Sequence, residues 1–153
     1  MSNHARNLSA VFPIILRQRE NLTEILLHRR QNTGYEDGKW DIAASGHVDE
    51  NEAATLAIVR ECKEEVGIDV LAEDLEFAHL SHRFSTSRVY YDIYFVVKKY
   101  SGEPTIMEPD KCSALAWFDI RNLPCDIIDC RRIDIANYLS GVFYSEKLPC
   151  GIR

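Results

Sequence analysis

Residues 52–66 contain neither glycine nor proline and run up to Gly67, and this segment limits what the chain can become more than any other. A glycine in that place takes the left-handed conformation that closes a helix, so the stretch predicts a long α-helix. At about 100° per residue, Thr55, Ile58, Val59, Cys62 and Val66 fall on one side, which packs. Glu61, Glu64 and Glu65 fall roughly opposite, among Ala53, Ala54 and Ala57, whose small side chains leave the carboxylates room. Glu61 is four residues from Glu65 and three from Glu64. Like charges therefore face one another, at roughly a few tenths of a kcal/mol per pair in the absence of a counterion. The helix dipole also favours cations, not carboxylates, in these last turns. A charge run on a helix is ordinarily a solvated face, but the residues around this one change its meaning.

The 153 residues predict a single domain, 1–153, long enough to bury a core. Hydrophobic residues at 46% and charged residues at 27% exclude a disordered chain. No apolar run reaches membrane-spanning length, and residues 1–7 lack the apolar stretch of a signal peptide, so a cytoplasmic protein without membrane contact is expected. Cys62, Cys112, Cys125, Cys130 and Cys150 are odd in number with no C-x-x-C pair, which predicts reduced thiols instead of disulfides or a zinc ribbon. A net charge of -6 without a long basic stripe argues against a nucleic-acid polymer as partner. An acidic protein still handles an anionic small molecule where a bound divalent cation reverses the local sign.

Apolar and β-branched segments at 8–17 and 23–30 predict a hairpin, followed by a surface loop at 32–38, a short strand at 40–44 and a loop at 45–51. Strands are expected at 77–84 and 89–97, the second alternating Val89, Tyr91, Ile93, Phe95 and Val97 against Tyr90, Asp92, Tyr94 and Val96. A further strand at 114–120 and a second helix at 131–139 before Gly141 complete a β-rich order without internal repeats.

Outward from the acidic helix, Gly46 is followed by five residues, Glu52, seven residues, and then Arg60-Glu61-Cys62-Lys63-Glu64-Glu65-Val66-Gly67-Ile68. At ordinary residue usage, chance agreement with G-x5-E-x7-R-E-U-x-E-E-x-G-U is under about one in a million. Over Gly46 to Ile68 the sequence resembles the signature box of the Nudix hydrolases, and more weakly over most of the chain through the strand order. Two positions depart from the box. Cys62 takes the bulky apolar place and still fits the packed side. Ala44-Ser45 replaces the usual Pro-Gly, although a backbone carbonyl remains available at Ser45 to ligate metal.

The resemblance implies an α/β fold, a Nudix-type α/β/α sandwich with a mixed sheet between helices and the box as loop-helix-loop. It also implies hydrolysis of a diphosphate linkage with Mg²⁺, or Mn²⁺, on the box glutamates. Hard divalent cations take oxygen ligands, commonly one or two carboxylates with waters and substrate phosphates. Glu61 and Glu65 are the first-choice ligands, with Glu64 beside them, and a metal there lowers the pKa of a bound water that attacks phosphorus. The resemblance further implies that Arg60 and Glu52 brace loop and helix through a salt bridge. Glu108 is the chosen carboxylate outside the box, with Asp110 in reserve. Arg29 and Arg30 end a strand near the phosphates, and alternation lets only one face the cleft. Tyr35 and Trp40 are candidates for stacking on a base. His28, His47, His79 and His82 show neither ligand spacing nor a Ser or Cys partner for a nucleophilic triad.

The expected reaction is Mg²⁺-dependent conversion of a nucleoside triphosphate, ordinary or modified, to the monophosphate and pyrophosphate. Within the family the alternative substrates are ADP-ribose, a nucleotide sugar or a dinucleoside polyphosphate. No proline stands about fifteen residues past the box, where Arg83 is found, no tyrosine follows two or three residues later, and no coenzyme A signature precedes the box. From another class, a non-catalytic nucleotide-binding module is the rival, although such modules usually lose box glutamates. Val142, Phe143 and Tyr144 are candidates either for a homodimer interface or for closing the core.

Overall fold

The computed structural model describes residues 2–85 and 87–148. In chain order it contains β1 (Leu8–Arg19), β2 (Leu22–Arg30), β3 (Trp40–Ile42), β4 (Gly46–His47), α1 (Ala54–Val66), a 3₁₀ turn (Ala72–Asp74), β5 (Glu76–Phe84), β6 (Val89–Val97), β7 (Cys112–Asp119), α2 (Asp129–Leu139) and β8 (Tyr144–Lys147). The strands form one mixed sheet in the order β3-β2-β1-β6-β5-β8, with β4 on β1 and β7 on β2.

Strand β1 holds the sheet together. Through Leu8–Ile15 it runs parallel to β6, and alternation divides its side chains between two cores. Ala10, Phe12, Ile14 and Leu16 join Tyr94, Val96 and Ile135 on the α2 side. Val11 and Ile15 join Ala57, Ile58, Cys62 and Val66 on the α1 side. The result is the α/β/α sandwich. On its other edge β1 pairs with β2 only from Leu16 to Arg19, whereas Ala10 and Val11 pair with β4. Beyond Leu27, β2 bonds instead to β3. The two arms therefore separate, β3 lining one and β4 the other, and a cleft opens between them.

Several boundaries differ from the sequence expectation. Helix α1 begins at Ala54 after an extended Ala53 (ψ 147°), and Glu52 stands outside it because its carboxylate ties down the preceding loop instead. Gly67, at φ 71°, closes the helix, its own N–H donating to the Lys63 carbonyl and that of Ile68 to the Cys62 carbonyl. The third strand stops at Ile42 because Ala44 turns into the left-handed region at φ 61°. Strand β7 and helix α2 each start two residues earlier than expected, at Cys112 and Asp129. Strands β4 and β8, two and four residues long, are too short for alternation to reveal. Phe143 is 65% exposed and Tyr144 49%, so these residues do not close the core. Among the described residues no helix is long and apolar enough to cross a membrane.

Candidate active site

The cleft has a volume of about 1000 Å³ and opposite electrostatic ends. The carboxylates come from α1 and the loop docked on it, Glu61, Glu64, Glu65 and Glu108, the last 3.8 Å from Lys111, and the arginines from β2, β5, the turn after it and α2, Arg30, Arg83, Arg88 and Arg131.

The acidic face of α1 is turned into this cleft. Glu61 is only 8% exposed. Its carboxylate rests on β4, where a Cβ built at Gly46 would stand 2.1 Å from Oε1 of Glu61. Gly46 is thus required by close approach, and any larger residue would displace the carboxylate. Ala57, expected beside the carboxylates, is instead fully buried against the sheet. Glu108 arrives by a different route. Its loop docks on the end of α1 through Thr105 N–H to the Val66 carbonyl (3.0 Å) and Met107 N–H to the Glu65 carbonyl (3.1 Å). The neighbouring Asp110 is exposed and lies outside the cleft.

This crowding shows in the proton affinities. Burial, with Glu61 and Glu108 adding repulsion, pushes the Glu65 carboxyl up to about 8. Burial also raises Glu61, against the opposing pull of Arg60. Arg60 organises the approach to the cluster. Its Nε and Nη2 donate to both oxygens of Glu52 at 2.8 and 2.9 Å, Nη1 donates to Glu61 at 2.7 Å, and Nη2 also reaches the His47 carbonyl at 3.0 Å. The other face of Glu52 accepts the Asp49 N–H at 2.9 Å. These bonds, first that from Arg60, hold the Glu52 carboxyl down at about 2. One bidentate pair thereby fastens the loop before α1 to the helix.

The residues at this end suit a hard divalent cation. The carboxylates of Glu61, Glu64, Glu65 and Glu108 line it together with Ser45, and Gly46 leaves room for the Glu61 carboxylate. Among the described residues no three such side chains already converge as a metal cage. Mutual repulsion and the 2.7 Å bond from Arg60 draw Glu61 aside.

Of the strand-end arginines, Arg30 faces the cleft. It donates to Asp41 at 3.0 Å and to the Tyr35 carbonyl at 2.8 Å, and its guanidinium lies 5.3 Å from the Tyr35 ring. Arg29 does not reach the cleft. It is bound to Asp126 at 2.6 Å and lies over Trp40, which packs against Phe118. Alternation along β2 sends the two arginines to opposite sides.

Beyond Arg30, the arginines of the opposite end carry no local sequence signal. Arg131 of α2 bridges the two arms from below, donating to Asp41 of β3 at 3.1 Å, to Asp92 of β6 at 3.2 Å and to the Tyr94 hydroxyl at 2.9 Å. Burial opposes ionisation of Asp41, yet Arg131, His28 and Arg30 hold it below its ordinary value. Asp92 had a visible signal, since it occupies an inward position of an otherwise apolar and aromatic strand. A buried carboxylate there demands a cation. Burial pushes the proton affinity of His28, also in the cleft, down.

The chain covers 98% of a MutT NUDIX hydrolase from Burkholderia pseudomallei over 86% of its own length, at 26% identity and a TM-score of 0.74. A C. elegans Ap4A hydrolase aligns at 16% identity and TM-score 0.67, covering 87% of this chain and 96% of that one. The NUDIX domain of Shewanella oneidensis NrtR, solved with ADP ribose, aligns at 15% identity and TM-score 0.64, covering 91% and 86%. A search of curated protein sequences found no significant match. The NUDIX domain family model matches residues 7–134, most of the length and all of the site described above, and the chain belongs to the NUDIX hydrolase family, whose members act on nucleotide diphosphate derivatives.

Proposed function

We propose that this chain is a single-domain, divalent-metal-dependent pyrophosphohydrolase that converts a nucleoside triphosphate, ordinary or modified, to the monophosphate and pyrophosphate. The observation that carries the reading is the gathering of Glu61, Glu64, Glu65 and Glu108 at one end of a cleft whose other end is cationic. Glu61 and Glu65 would hold Mg²⁺, or Mn²⁺ in its place, with Glu64 and the Ser45 carbonyl beside them. When bound, the cation supplies charge neutralisation for the phosphates and a water acidified for attack on phosphorus.

The chain's own residues do the rest. Arg60, anchored on Glu52, fixes the turn that carries Ser45 and Gly46 against Glu61. Glu108, held by its loop on α1, is placed to orient the attacking water or take its proton. Arg30 supplies donors to the phosphates, and its bond to Asp41 orients the guanidinium. Tyr35, 45% exposed at the rim, offers a face for the base.

The reaction is proposed to take place in the cytoplasm, in keeping with four free cysteines among the described residues. Homodimerisation is supported by the exposed Phe77 and Phe143, stacked at 6.3 Å, and sedimentation analysis tests it.

The test of the reaction is product analysis over nucleoside triphosphates, oxidised triphosphates, ADP-ribose, nucleotide sugars and dinucleoside polyphosphates, each with Mg²⁺, Mn²⁺ or chelator. Metal-dependent pyrophosphate release from a triphosphate is the expected result. Turnover confined to the other compounds would move the substrate, and binding without turnover would leave a nucleotide-binding module.

A further inference from the structure

We propose that the basic end of the cleft binds a second anionic group of the substrate, a phosphate monoester separate from the scissile linkage, through Arg83 and Arg88. The inference rests on the hydrolase reading and narrows its substrate class to nucleotides phosphorylated at a second position.

The charges at this end do not balance. Four guanidiniums, Arg30, Arg83, Arg88 and Arg131, line this end against two carboxylates, Asp41 and Asp92, so with Arg30 given to the phosphate chain one positive charge is still unmatched. Arg131 is 3% exposed, and both aspartates are buried. A net positive charge lining a cleft with low-dielectric walls draws an anion to it. Arg83 is already set for the purpose. Nε and Nη2 are spent on Asp92 at 2.6 and 3.2 Å, and the guanidinium is fixed over the Tyr90 ring at 4.6 Å. Among the described residues its Nη1 has no partner. Arg88 lines the same end, exposed and without an ion pair among the described residues.

The register separates this site from the glutamates. Asp92 pairs with Ala10 on β1, and Ala10 pairs with His47 on β4. The carboxylate that anchors Arg83 is therefore two strands from the strand supporting Glu61, about 10 Å across the sheet. One phosphate chain held at the glutamates would not also saturate Arg83. A nucleotide lying along the cleft would place its sugar or base there, and the surplus charge favours a phosphate on the sugar over a neutral base edge.

The first measurement is calorimetric binding in EDTA, where the metal-free glutamates repel phosphate and leave only the basic end attractive. Adenosine 3′,5′-bisphosphate should bind the wild type roughly ten- to a hundredfold tighter than adenosine 5′-monophosphate, with the advantage shrinking as salt rises. Arg83→Gln and Arg88→Gln should each remove most of that advantage. Because Arg88 is exposed and makes no ion pair among the described residues, its variant keeps the test valid if Arg83→Gln fails to fold. Equal binding of the two probes, or an advantage that survives both substitutions, overturns the proposal. So does a variant that changes only the preference between guanosine and adenosine 5′-monophosphates, which would assign Arg83 to a base edge.

The second measurement compares kcat/KM for adenosine triphosphate with and without a 3′-phosphate in Mg²⁺, and the ratio should favour the 3′-phosphate in the wild type alone. No metal-dependent turnover of any substrate would refute the hydrolase reading, while the metal-free binding result would still decide the anion site.

Discussion

Glu65→Gln probes the electrostatic cost of the cleft. In the folded protein the Glu65 carboxyl is raised from the ordinary 4.5 to about 8 by burial and by Glu61 and Glu108. Below pH 4.5 both folded and unfolded chains keep the proton, and the site costs nothing. Between pH 4.5 and 8 the unfolded chain releases it while the folded chain retains it, so stability falls as pH rises and levels off above 8. At about 1.36 kcal/mol per pH unit, the loss at pH 7 is at most about 3 kcal/mol. Water entering the open cleft reduces it to about 1–3 kcal/mol. Glutamine has the same shape and no charge, so the variant escapes this penalty.

The assay is thermal melting in EDTA from pH 4.5 to 9. The two proteins should melt together at the acid end, and the variant should melt roughly 2–10 °C higher at pH 8. Adding Mg²⁺ should stabilise the wild type and leave the variant nearly unmoved, reversing or erasing the difference. Turnover should fall by at least about a hundredfold. A variant that melts at or below the wild type at pH 8 in EDTA, or by an offset independent of pH, would refute the reasoning.

Gly46→Ala places a methyl group 2.1 Å from the Glu61 Oε1; because a flexible carboxylate can move, melting should shift by less than about 1 kcal/mol while turnover falls by about tenfold or more. Arg60→Met breaks the bidentate ion pair with Glu52 and should lower the denaturation midpoint only slightly while weakening Mg²⁺ binding by calorimetry. Arg131→Met strips Asp41 and Asp92 of a shared buried cation and should destabilise by about 3–5 kcal/mol, read as a lower denaturation midpoint. Glu20 is the exposed first residue of a two-residue hairpin loop with φ 56°; Glu20→Gly should raise stability by about 1 kcal/mol with activity unchanged.

The long elements were legible because their signals are local. Gly67 closes α1 where a left-handed cap was expected, and the alternation of β6 divides its residues between the two cores. The missed strands depend on distant partners. Gly46–His47 is a strand only because β1 offers a free edge where β2 has departed, and Tyr144–Lys147 only because β5 lies open beside it. Neither segment carries a periodicity of its own.

The acidic face shows where local reasoning ends. The helical wheel groups Glu61, Glu64 and Glu65 on one side but cannot say whether that side meets water or the wall of a cleft. The answer came from the divergence of β1 and β2, a long-range fact that buries Glu61 over Gly46 and sets Glu65 beside Glu108. The basic end is less local still, since Arg30, Asp41, Arg83, Asp92 and Arg131 come from β2, β3, β5, β6 and α2. Each alone reads as an ordinary charged residue. The inward aspartates in Trp40-Asp41-Ile42 and Tyr91-Asp92-Ile93 are the exception, because an apolar strand tolerates a buried carboxylate only when a cation reaches it from elsewhere. Their positions announce that cations must arrive, and only the fold reveals that three arrive for two carboxylates.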